Sequence, residues 1–248
     1  MSQLVRYELS GQIARVTMDD GKVNAMSVQM LHALHDAFDR AAGDSAVVVL
    51  RSGRVGIFSA GFDLKVLASD DVEGSHAMVK AGAELALKIL SFRTPVLGVC
   101  AGHAYPMGAF LLLASDIRIG VDGPYRIGFN EVAIGIPIPS FALELGRQRL
   151  TPAYLNRTAT TGEMFGMKEA VSAGFLDRLV PAEGLDAAVE ATAEALTKIH
   201  LPSHAIVKQR LRSGTIKAMR AAIDAELTIE RYRELARDRS SVNLSRAG

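Results

Sequence analysis

The sequence is poor in the residues that build disulfide frameworks and zinc sites. Its 248 residues include a single cysteine, Cys100. One cysteine excludes an intramolecular disulfide, and no cluster of Cys and His has the spacing of zinc ligands. We therefore expect no bound metal, and we expect Cys100 to pack in a core.

Charge of one sign is not in excess either. The 28 basic and 27 acidic residues give a net charge of +1, so no overall field would attract nucleic acid or an anionic membrane. The apolar runs fall short of the roughly 18 to 20 residues that span a bilayer. The first residues also lack the features of a secretory signal, and these absences predict a cytoplasmic protein without a membrane segment.

Several common catalytic motifs are missing. The sequence has no G-x-x-x-x-G-K-[ST], no G-x-G-x-x-G that opens a helix after a strand, no G-x-S-x-G and no H-E-x-x-H. The usual phosphate-binding, dinucleotide-binding, serine-hydrolase and zinc-protease interpretations therefore have no support.

Strand and helix patterns alternate along the chain. VRYEL and IARVTM flank Ser10-Gly11 and alternate apolar with polar residues, which predicts a hairpin. A helix is predicted after Ser27 as N-cap, and a buried strand at residues 46–50. With 49% apolar residues, this order predicts one α/β core of largely buried strands.

The C-terminal part reads as almost wholly helical from about Thr151. Ser203 is a candidate N-cap, and Ser213-Gly214 predicts a break between two helices. The second helix, at residues 215–239, has a narrow apolar stripe among many charges. Such a helix docks either on its own core or on a neighbouring subunit.

Two glycine-containing turns could present unpaired backbone N–H groups. In FSAGFDLKVL small residues lead into Phe62, Asp63 and a helix start, and in AGHAYPMGAFLLLASD a short apolar helix begins near Met107-Gly108. Free N–H groups at such points can bind an oxyanion or a carbonyl oxygen. The alternatives are a helix-capping turn at Asp63 and plain packing of a core helix.

A third segment, IGFNEVAIGI, places Glu131 among apolar residues. Burial of a carboxylate costs free energy and raises its pKa, which makes it a stronger base. We expect Phe129, Val132 and Ile134 to supply the apolar surroundings. The alternative is a carboxylate at a helix start that backbone N–H groups satisfy.

Together these segments resemble one family. VNAMS, FSAGFDLK, AGHAYPMGAFLLLASDIRIG, IGFNEVAIGI and EAVSAGFLDRLVP occur in the order and spacing of the crotonase (enoyl-CoA hydratase/isomerase) superfamily. The resemblance covers roughly residues 4–181. It implies a spiral core of strand-strand-helix repeats at residues 1–195 and a helical C-terminal region, residues 196–248, that builds trimers, often paired into hexamers.

The resemblance also implies a coenzyme A thioester as substrate, with no separate cofactor. Its carbonyl oxygen would accept hydrogen bonds from the N–H groups of Phe62 and Met107, although relatives usually have glycine at the latter position. The residues that would contact the substrate are Lys22, Val23, Ala60, Gly61, Asp63, Leu64, Lys65, Gly108, Phe110 and Asn130.

Hydratases of this family use two glutamates, of which this sequence keeps one. Glu131 matches the second glutamate, whereas Phe110 stands at the position of the first. Hydration needs groups that hold and activate water, but moving a double bond needs only one base that transfers a proton from C2 to C4. The sequence therefore most resembles the delta-3, delta-2-enoyl-CoA isomerases, with a 2-enoyl-CoA hydratase as the alternative.

A different class of function rests on KQRLRSGTIKAMR, which has five basic residues and no acidic one. A non-catalytic RNA-binding homologue could use them, but a solvated helix face is the stronger interpretation. The five are Lys208, Arg210, Arg212, Lys217 and Arg220.

Five further polar residues are assigned structural roles or none. We expect His103 to be packed, Asp116 to make a structural hydrogen bond, and His32 and His35 to lie on a helix surface, while Tyr105 has no assigned role.

Overall fold

The computed structural model describes residues 4–234. Its strands are β1 (Val5–Ser10), β2 (Ile13–Met18), β3 (Val47–Ser52), β4 (Gly56–Ser59), β5 (Val96–Cys100), β6 (Gly102–Ala104), β7 (Ile117–Val121), β8 (Arg126–Gly128), β9 (Met164–Gly166) and β10 (Arg178–Val180). Its α-helices are α1 (Val28–Gly43), α2 (Leu64–Leu67), α3 (Val72–Leu90), α4 (Pro106–Ala114), α5 (Ser140–Arg149), α6 (Pro152–Thr161), α7 (Met167–Ala173), α8 (Leu185–Thr197) and α9 (Leu201–Glu226). Short 3-10 helices lie at Val132–Ile134 and Ala182–Gly184.

The strands form two sheets. The larger has six strands in the order β1-β2-β3-β5-β7-β10, and the smaller has four in the order β4-β6-β8-β9. Only the β1-β2 and β8-β9 pairs are antiparallel, and the remaining pairs within these sheets are parallel.

Successive strands alternate between the two sheets. β3 and β4, β5 and β6, and β7 and β8 each contribute one strand to the larger sheet and the next to the smaller, and a helix follows each pair. This is the predicted spiral of strand-strand-helix repeats, and the α/β fold class is confirmed. The repeat matters for function because it brings the ends of β4, β6 and β8 side by side.

The larger sheet is covered on both faces, which explains its nearly continuous apolar strands. In β3, Val48 and Leu50 belong to the main core, whereas Val49 packs with Leu185 and Val189 of α8 on the other face. Consecutive side chains of a strand point to opposite faces, so one apolar run serves two cores.

Several local predictions are confirmed. Gly11 turns the β1-β2 hairpin with a φ of 57°, a conformation that glycine adopts without steric cost. The Ser27 side chain caps α1 by accepting a 3.2 Å hydrogen bond from the Met30 N–H. Cys100 is fully buried.

The predicted helix break at Ser213-Gly214 is wrong, because α9 runs through it. Glycine inside a helix costs only about 1 kcal/mol, and α9 is held on both sides of this point by buried Arg212 and Met219. The predicted cap at Ser203 is also wrong: the helix begins at Leu201, and His200 Nδ1 accepts a hydrogen bond from the Ser203 N–H. Part of the predicted helix at residues 215–239 lies outside the described residues.

Within residues 4–234, no helix combines the length and the apolar character that crossing a bilayer requires.

Candidate active site

The first turn of the candidate site follows β4. Gly61 has a φ of 83°, which only glycine adopts readily. Its N–H donates to Ser59 Oγ over 3.1 Å, and its carbonyl accepts from the Met26 N–H over 2.8 Å. With the two polar groups of Gly61 occupied, the turn is fixed, and Phe62 follows it.

Asn24 holds this turn against the preceding loop, and the sequence analysis did not single it out. The residue is fully buried. Its side-chain amide nitrogen donates to Ser52 Oγ over 2.8 Å and to the Phe58 carbonyl over 3.2 Å, and its backbone carbonyl accepts from Ser59 Oγ over 2.7 Å. The available signal was the polar pair formed by the asparagine of VNAMS and the serine of FSAG, each within an otherwise apolar segment.

The second turn is the start of α4. The Tyr105 N–H donates to the Ser59 carbonyl over 2.9 Å, and the Tyr105 carbonyl accepts the first helical hydrogen bond, from the Ala109 N–H. Pro106 has no N–H to donate. The N–H groups of Met107 and Gly108 precede the first helical donor and therefore have no acceptor within the helix.

The two turns are in close contact. A Cβ built on Gly61 would lie 3.5 Å from the Pro106 nitrogen, and one built on Gly108 would lie 2.8 Å from Ser59 Cβ. Within the described chain, the N–H groups of Phe62 and Met107 donate no hydrogen bond. Two free backbone donors therefore lie on neighbouring segments.

Gly82 of α3 makes room for the side chains of both donor residues. A Cβ at Gly82 would lie 2.7 Å from Phe62 Cε1 and 3.0 Å from Met107 Sδ. The bulk that Met107 adds, relative to the usual glycine, is therefore accommodated against α3.

Glu131 lies at the N-terminal end of the 3-10 helix Val132–Ile134. Its carbonyl accepts hydrogen bonds from the Ile134 and Ile136 N–H groups, over 3.0 and 2.9 Å. The side chain does not cap the helix. The residue is only 8% exposed, and its Oε2 atom is buried without a hydrogen-bond partner among the described residues. The alternative was a carboxylate whose oxygens accept hydrogen bonds from backbone N–H groups. The Oε2 atom accepts none from the described residues.

Burial raises the pKa of Glu131 from 4.5 to about 7, and the residue's own backbone N–H offsets only part of the shift. Desolvation disfavours the charged form of a carboxyl group, and no cation in the described part of the chain compensates it. The group is therefore divided between its acid and base forms near neutral pH.

The expected apolar surroundings of Glu131 are only partly correct. Phe129 is fully buried, but Val132 and Ile134 are 43% and 48% exposed. The reason is that the short 3-10 helix lies at the surface and turns these side chains outward. The desolvation of Glu131 therefore comes from the core side of its loop.

Phe110 is fully buried in a group of aromatic rings. Its ring centroid lies 4.9 Å from that of Phe129 and 5.8 Å from that of Phe141, both edge to face. At the position where hydratases have their first glutamate, this chain therefore has an apolar side chain that can neither donate nor accept a proton. A substrate contact of Phe110 stays a prediction.

The other predicted substrate-contacting residues surround the first turn and the Glu131 loop. The Ala60 N–H donates to the Val23 carbonyl over 3.0 Å, which joins the two segments that contain most of them. Lys22, Val23, Leu64 and Lys65 are exposed, and Ala60, Asp63 and Asn130 are half-buried. Asp63 also caps α2 by accepting from the Lys65 N–H over 2.9 Å, as its structural alternative required.

Two surface grooves, of about 910 and 500 Å³, lie elsewhere. The first lies between α1, α3 and α9, and the second beside β1, β2 and β3. Neither is lined by Glu131, Phe62 or Met107, so groove size does not identify the candidate site.

The basic segment of α9 is not a continuous charged surface. Lys208 and Arg212 are buried, and both pair with Asp116, over 2.7 and 2.8 Å. Arg220 is paired with Glu84 over 2.6 Å. The RNA-binding interpretation thus loses two of its five residues to the core, and Asp116 has the structural role predicted for it.

The predicted roles of the histidines are mostly confirmed. His103 Nδ1 accepts a hydrogen bond from the Arg126 N–H over 3.1 Å, and its ring packs against those of Tyr105 and Tyr125. His32 is exposed. His35 is only half-buried rather than at the surface, because its Nε2 contacts the Ala81 carbonyl at 3.1 Å.

Comparisons with known proteins identify the family of this chain. Residues 8–240 match the enoyl-CoA hydratase/isomerase family. An enoyl-CoA hydratase/isomerase family protein from Pseudomonas syringae shares 41% sequence identity, with a TM-score of 0.87 over 90% of this chain and 96% of that one.

Two further relatives are described as isomerases, and one of them is also described as a hydratase. A Mycobacterium tuberculosis protein, 38% identical with a TM-score of 0.86 over 92% of this chain and 98% of its own, is described as an enoyl-CoA isomerase. Another structure of that protein is described as a probable enoyl-CoA hydratase. Human mitochondrial enoyl-CoA delta isomerase 1 is 27% identical over 230 residues, which are 90% of this chain and 75% of that protein.

A match over nearly the whole chain, together with the two-sheet spiral, gives one conclusion. This chain belongs to the enoyl-CoA hydratase/isomerase family, the crotonase family of enzymes.

Proposed function

We propose that this enzyme is an enoyl-CoA isomerase, which shifts the double bond of a 3-enoyl-CoA to the 2-position. The observation that carries the proposal is the buried carboxyl group of Glu131, whose Oε2 has no hydrogen-bond partner among the described residues. It stands in a chain that has Phe110 at the position where hydratases have their first glutamate. Coenzyme A enters as part of the substrate, and no separate cofactor takes part.

In the proposed reaction the thioester carbonyl oxygen accepts hydrogen bonds from the Phe62 and Met107 N–H groups. Glu131 removes a proton from C2, and the electron pair moves into a dienolate whose negative charge rests on that oxygen. The protonated Glu131 then returns the proton to C4, which leaves the double bond between C2 and C3. One carboxyl group is both base and acid, and the reaction needs no water.

The backbone donors are suited to the charge that develops. Met107 is at the first turn of α4, where the helix dipole adds a partial positive charge. Removal of one such donor in an oxyanion hole typically costs about 100- to 1000-fold in rate. These donors belong to the backbone, so the methionine supports the same role as the usual glycine.

The raised pKa of Glu131 supports its role as a base. Only the ionised form can accept the C2 proton, so kcat/KM should fall as the pH decreases below about 7. A glutamate with an ordinary pKa would be ionised throughout this range but would be a weaker proton acceptor.

A hydratase is the competing function, and the family includes both. Addition of water needs a polar group that holds the water and an acid for the α-carbon. Phe110 and its aromatic neighbours offer neither. Isomerisation is therefore the reaction that the described side chains support best.

The substitution Glu131→Gln tests the proposal. It should abolish conversion of 3-hexenoyl-CoA to 2-hexenoyl-CoA, followed by absorbance of the conjugated product, and leave the affinity for a saturated acyl-CoA unchanged. Glu144→Gln, a carboxylate of α5 that pairs with Arg147, is the matched control and should retain wild-type activity.

The same assay contains the results that would contradict the proposal. Undiminished turnover by the Glu131→Gln variant would exclude this residue as the base. Fast hydration of crotonyl-CoA by the wild type would show that another group has replaced the missing glutamate.

Residues 196–248 are proposed as an oligomerisation region, of which residues 196–234 are described. On α9, Ile206, Val207 and Leu211 are 53%, 59% and 78% exposed, an apolar surface typical of subunit contacts. Sedimentation analysis should give a trimer or hexamer, and Leu211→Lys should shift it toward monomer. The boundary at residue 195 falls within the last turn of α8.

A further inference from the structure

The end of α9 and the segment after it contact two helices that adjoin the candidate site, α5 and α3. We define residues 226–233 as the C-terminal strap. Its first residue, Glu226, is bonded to α5, which follows the Glu131 loop, and Leu227 and Arg233 are bonded to α3, which packs on Phe62.

On the α5 side the contact is made by Glu226. Its Oε2 accepts a 3.0 Å hydrogen bond from the Ser140 N–H, the first residue of α5. The residue before it, Pro139, has no side chain that could cap the helix. Glu226 therefore supplies, from a distant part of the chain, the negative charge that a helix start favours.

On the α3 side the strap is bonded to His76. Its Nε2 lies 2.9 Å from the Leu227 carbonyl oxygen. Because a carbonyl only accepts, Nε2 carries the proton and donates. The His76 ring also packs edge to face on Tyr232 at 5.3 Å, and Arg233 pairs with Glu73 over 2.8 Å.

The first turns of α3 connect directly to the segment with the Phe62 donor. Ser75 Oγ donates to the Val66 carbonyl of α2 over 3.0 Å, and α2 begins two residues after Phe62. Further along α3, Gly82 lies against the Phe62 ring. A shift of α3 would therefore move the donor segment.

The loop with Glu131 needs such support. Glu131 stands at the N-terminal end of a three-residue 3-10 helix, and the residues that follow Glu131 up to the start of α5 are exposed or only partly buried. Proton transfer requires the base to be held within a fraction of an ångström of its place, and a loop does not provide this unaided.

We propose that the C-terminal strap sets the distance between Glu131 and the two backbone donors, with His76 and Glu226 as positioning residues. The bonded path runs from Phe62 through α2, Ser75 and His76 to Leu227, and from Glu226 through Ser140 to the Glu131 loop. Its kinetic consequence rests on the isomerase function proposed above. The structural coupling does not, and it is tested separately.

Amide hydrogen exchange of the full chain tests the coupling without reference to activity. His76→Ala, on α3, should speed exchange in residues 131–139 by about fivefold, the change expected for an opening equilibrium that loses one hydrogen bond. Glu226→Ala should do the same at residues 62–67. Arg220→Ala removes another contact between α3 and α9, the pair with Glu84, and should change neither segment.

The exchange experiment has a clear contrary outcome. Effects confined to the mutated side, or equal effects in the Arg220→Ala control, would overturn the strap as a connection. If His76→Ala does not fold, Arg233→Ala replaces it, since this substitution removes only the exposed pair with Glu73 and should give a smaller shift of the same pattern.

Kinetics then distinguish positioning from general stability. His76→Ala and Glu226→Ala should each lower kcat about 10- to 100-fold with little change in KM, and the double variant should be no slower than the slower single one. His76→Gln, which keeps a donor, should recover most of the loss. Equal losses in the Gln and Ala variants would contradict positioning, and an inactive wild type would contradict only the isomerase proposal.

Discussion

The buried polar groups at the two ends of α4 differ in whether they have partners. Just beyond its C-terminal end, Asp116 is surrounded by donors: the Val96 N–H at 2.8 Å, Lys208 at 2.7 Å and Arg212 at 2.8 Å. Near its N-terminal end, the Phe62 and Met107 N–H groups have no acceptor among the described residues. The Glu131 carboxyl, two residues beyond the Phe129 ring that packs on Phe110 of α4, has a buried oxygen without a donor among those same residues.

The difference separates a structural ion cluster from the proposed substrate site. At the C-terminal end cations neutralise the carboxylate, and Arg212 and Arg149 also donate to the last carbonyls of α4 and to Ser115. At the other end the unpaired groups cost stability, which is typical of sites where a substrate supplies the missing partners.

The largest expected effect on stability comes from removing the charge of Asp116 at the C-terminal end of α4. Asp116→Asn would leave Lys208 and Arg212 buried without their counter-charge, which should lower the free energy of unfolding by about 3 to 5 kcal/mol. Urea unfolding measures this. Asp186→Asn, at an exposed partner of Arg51, is the control and should cost less than about 1 kcal/mol.

A double variant sharpens the same experiment. Burial already lowers the pKa of Lys208 to about 8, because the charged ammonium group loses its hydration in the folded protein. Asp116→Asn combined with Lys208→Met should be more stable than Asp116→Asn alone. Equal stabilities would mean that the lysine charge is not what destabilises the single variant.

For Glu131 we expect the opposite effect on stability: removal of its negative charge should stabilise the protein. The pKa of Glu131 is raised from 4.5 to about 7 on folding, so between these values the folded state binds more protons than the unfolded state. Wild-type stability should therefore fall as the pH rises through this window, by about 3 kcal/mol in total at 1.4 kcal/mol per pH unit.

The Glu131→Gln variant should not show this decrease in stability with pH, because glutamine does not titrate. Its stability advantage over the wild type should increase between pH 4.5 and 7 and then stay constant. Urea unfolding at several pH values, with Glu144→Gln as the control, measures it. An advantage that does not change with pH would show that the carboxyl group is partnered or hydrated.

The smallest effect concerns the packing behind the donors. Gly82→Ala would place a methyl group 2.7 Å from Phe62 Cε1, and overpacking of this kind costs about 1 to 3 kcal/mol. It should also lower kcat, because Phe62 must move. Gly214→Ala, in open space within α9, should instead stabilise by up to about 1 kcal/mol.

Much of the fold could be predicted because the relevant signals are local. The hairpin turn at Gly11, the cap at Ser27 and the burial of α4 all follow from nearby residues. The break at Ser213-Gly214 failed because tertiary packing of α9 outweighs the local preference of two residues.

The site was less predictable because its decisive contacts are distant in sequence. Glu131 could be identified as a candidate, but the outward direction of Val132 and Ile134 depends on the orientation of a surface turn. The sequence predicts Lys208 and Arg212 at the surface, because charged side chains are seldom buried without a partner. Their partner, Asp116, lies about 90 residues earlier in the chain. Asn24 was missed for the same reason, since its partners come from another strand.

The strap has a consequence for the order of folding. His76 and Leu227 are 151 residues apart, and Glu73 and Arg233 are 160 apart. Contacts of such high sequence separation close large loops and form slowly, after local helices and hairpins. We therefore expect the sheets and both donor turns to be in place before Glu131 is brought to its working distance, so that activity appears in refolding later than secondary structure does.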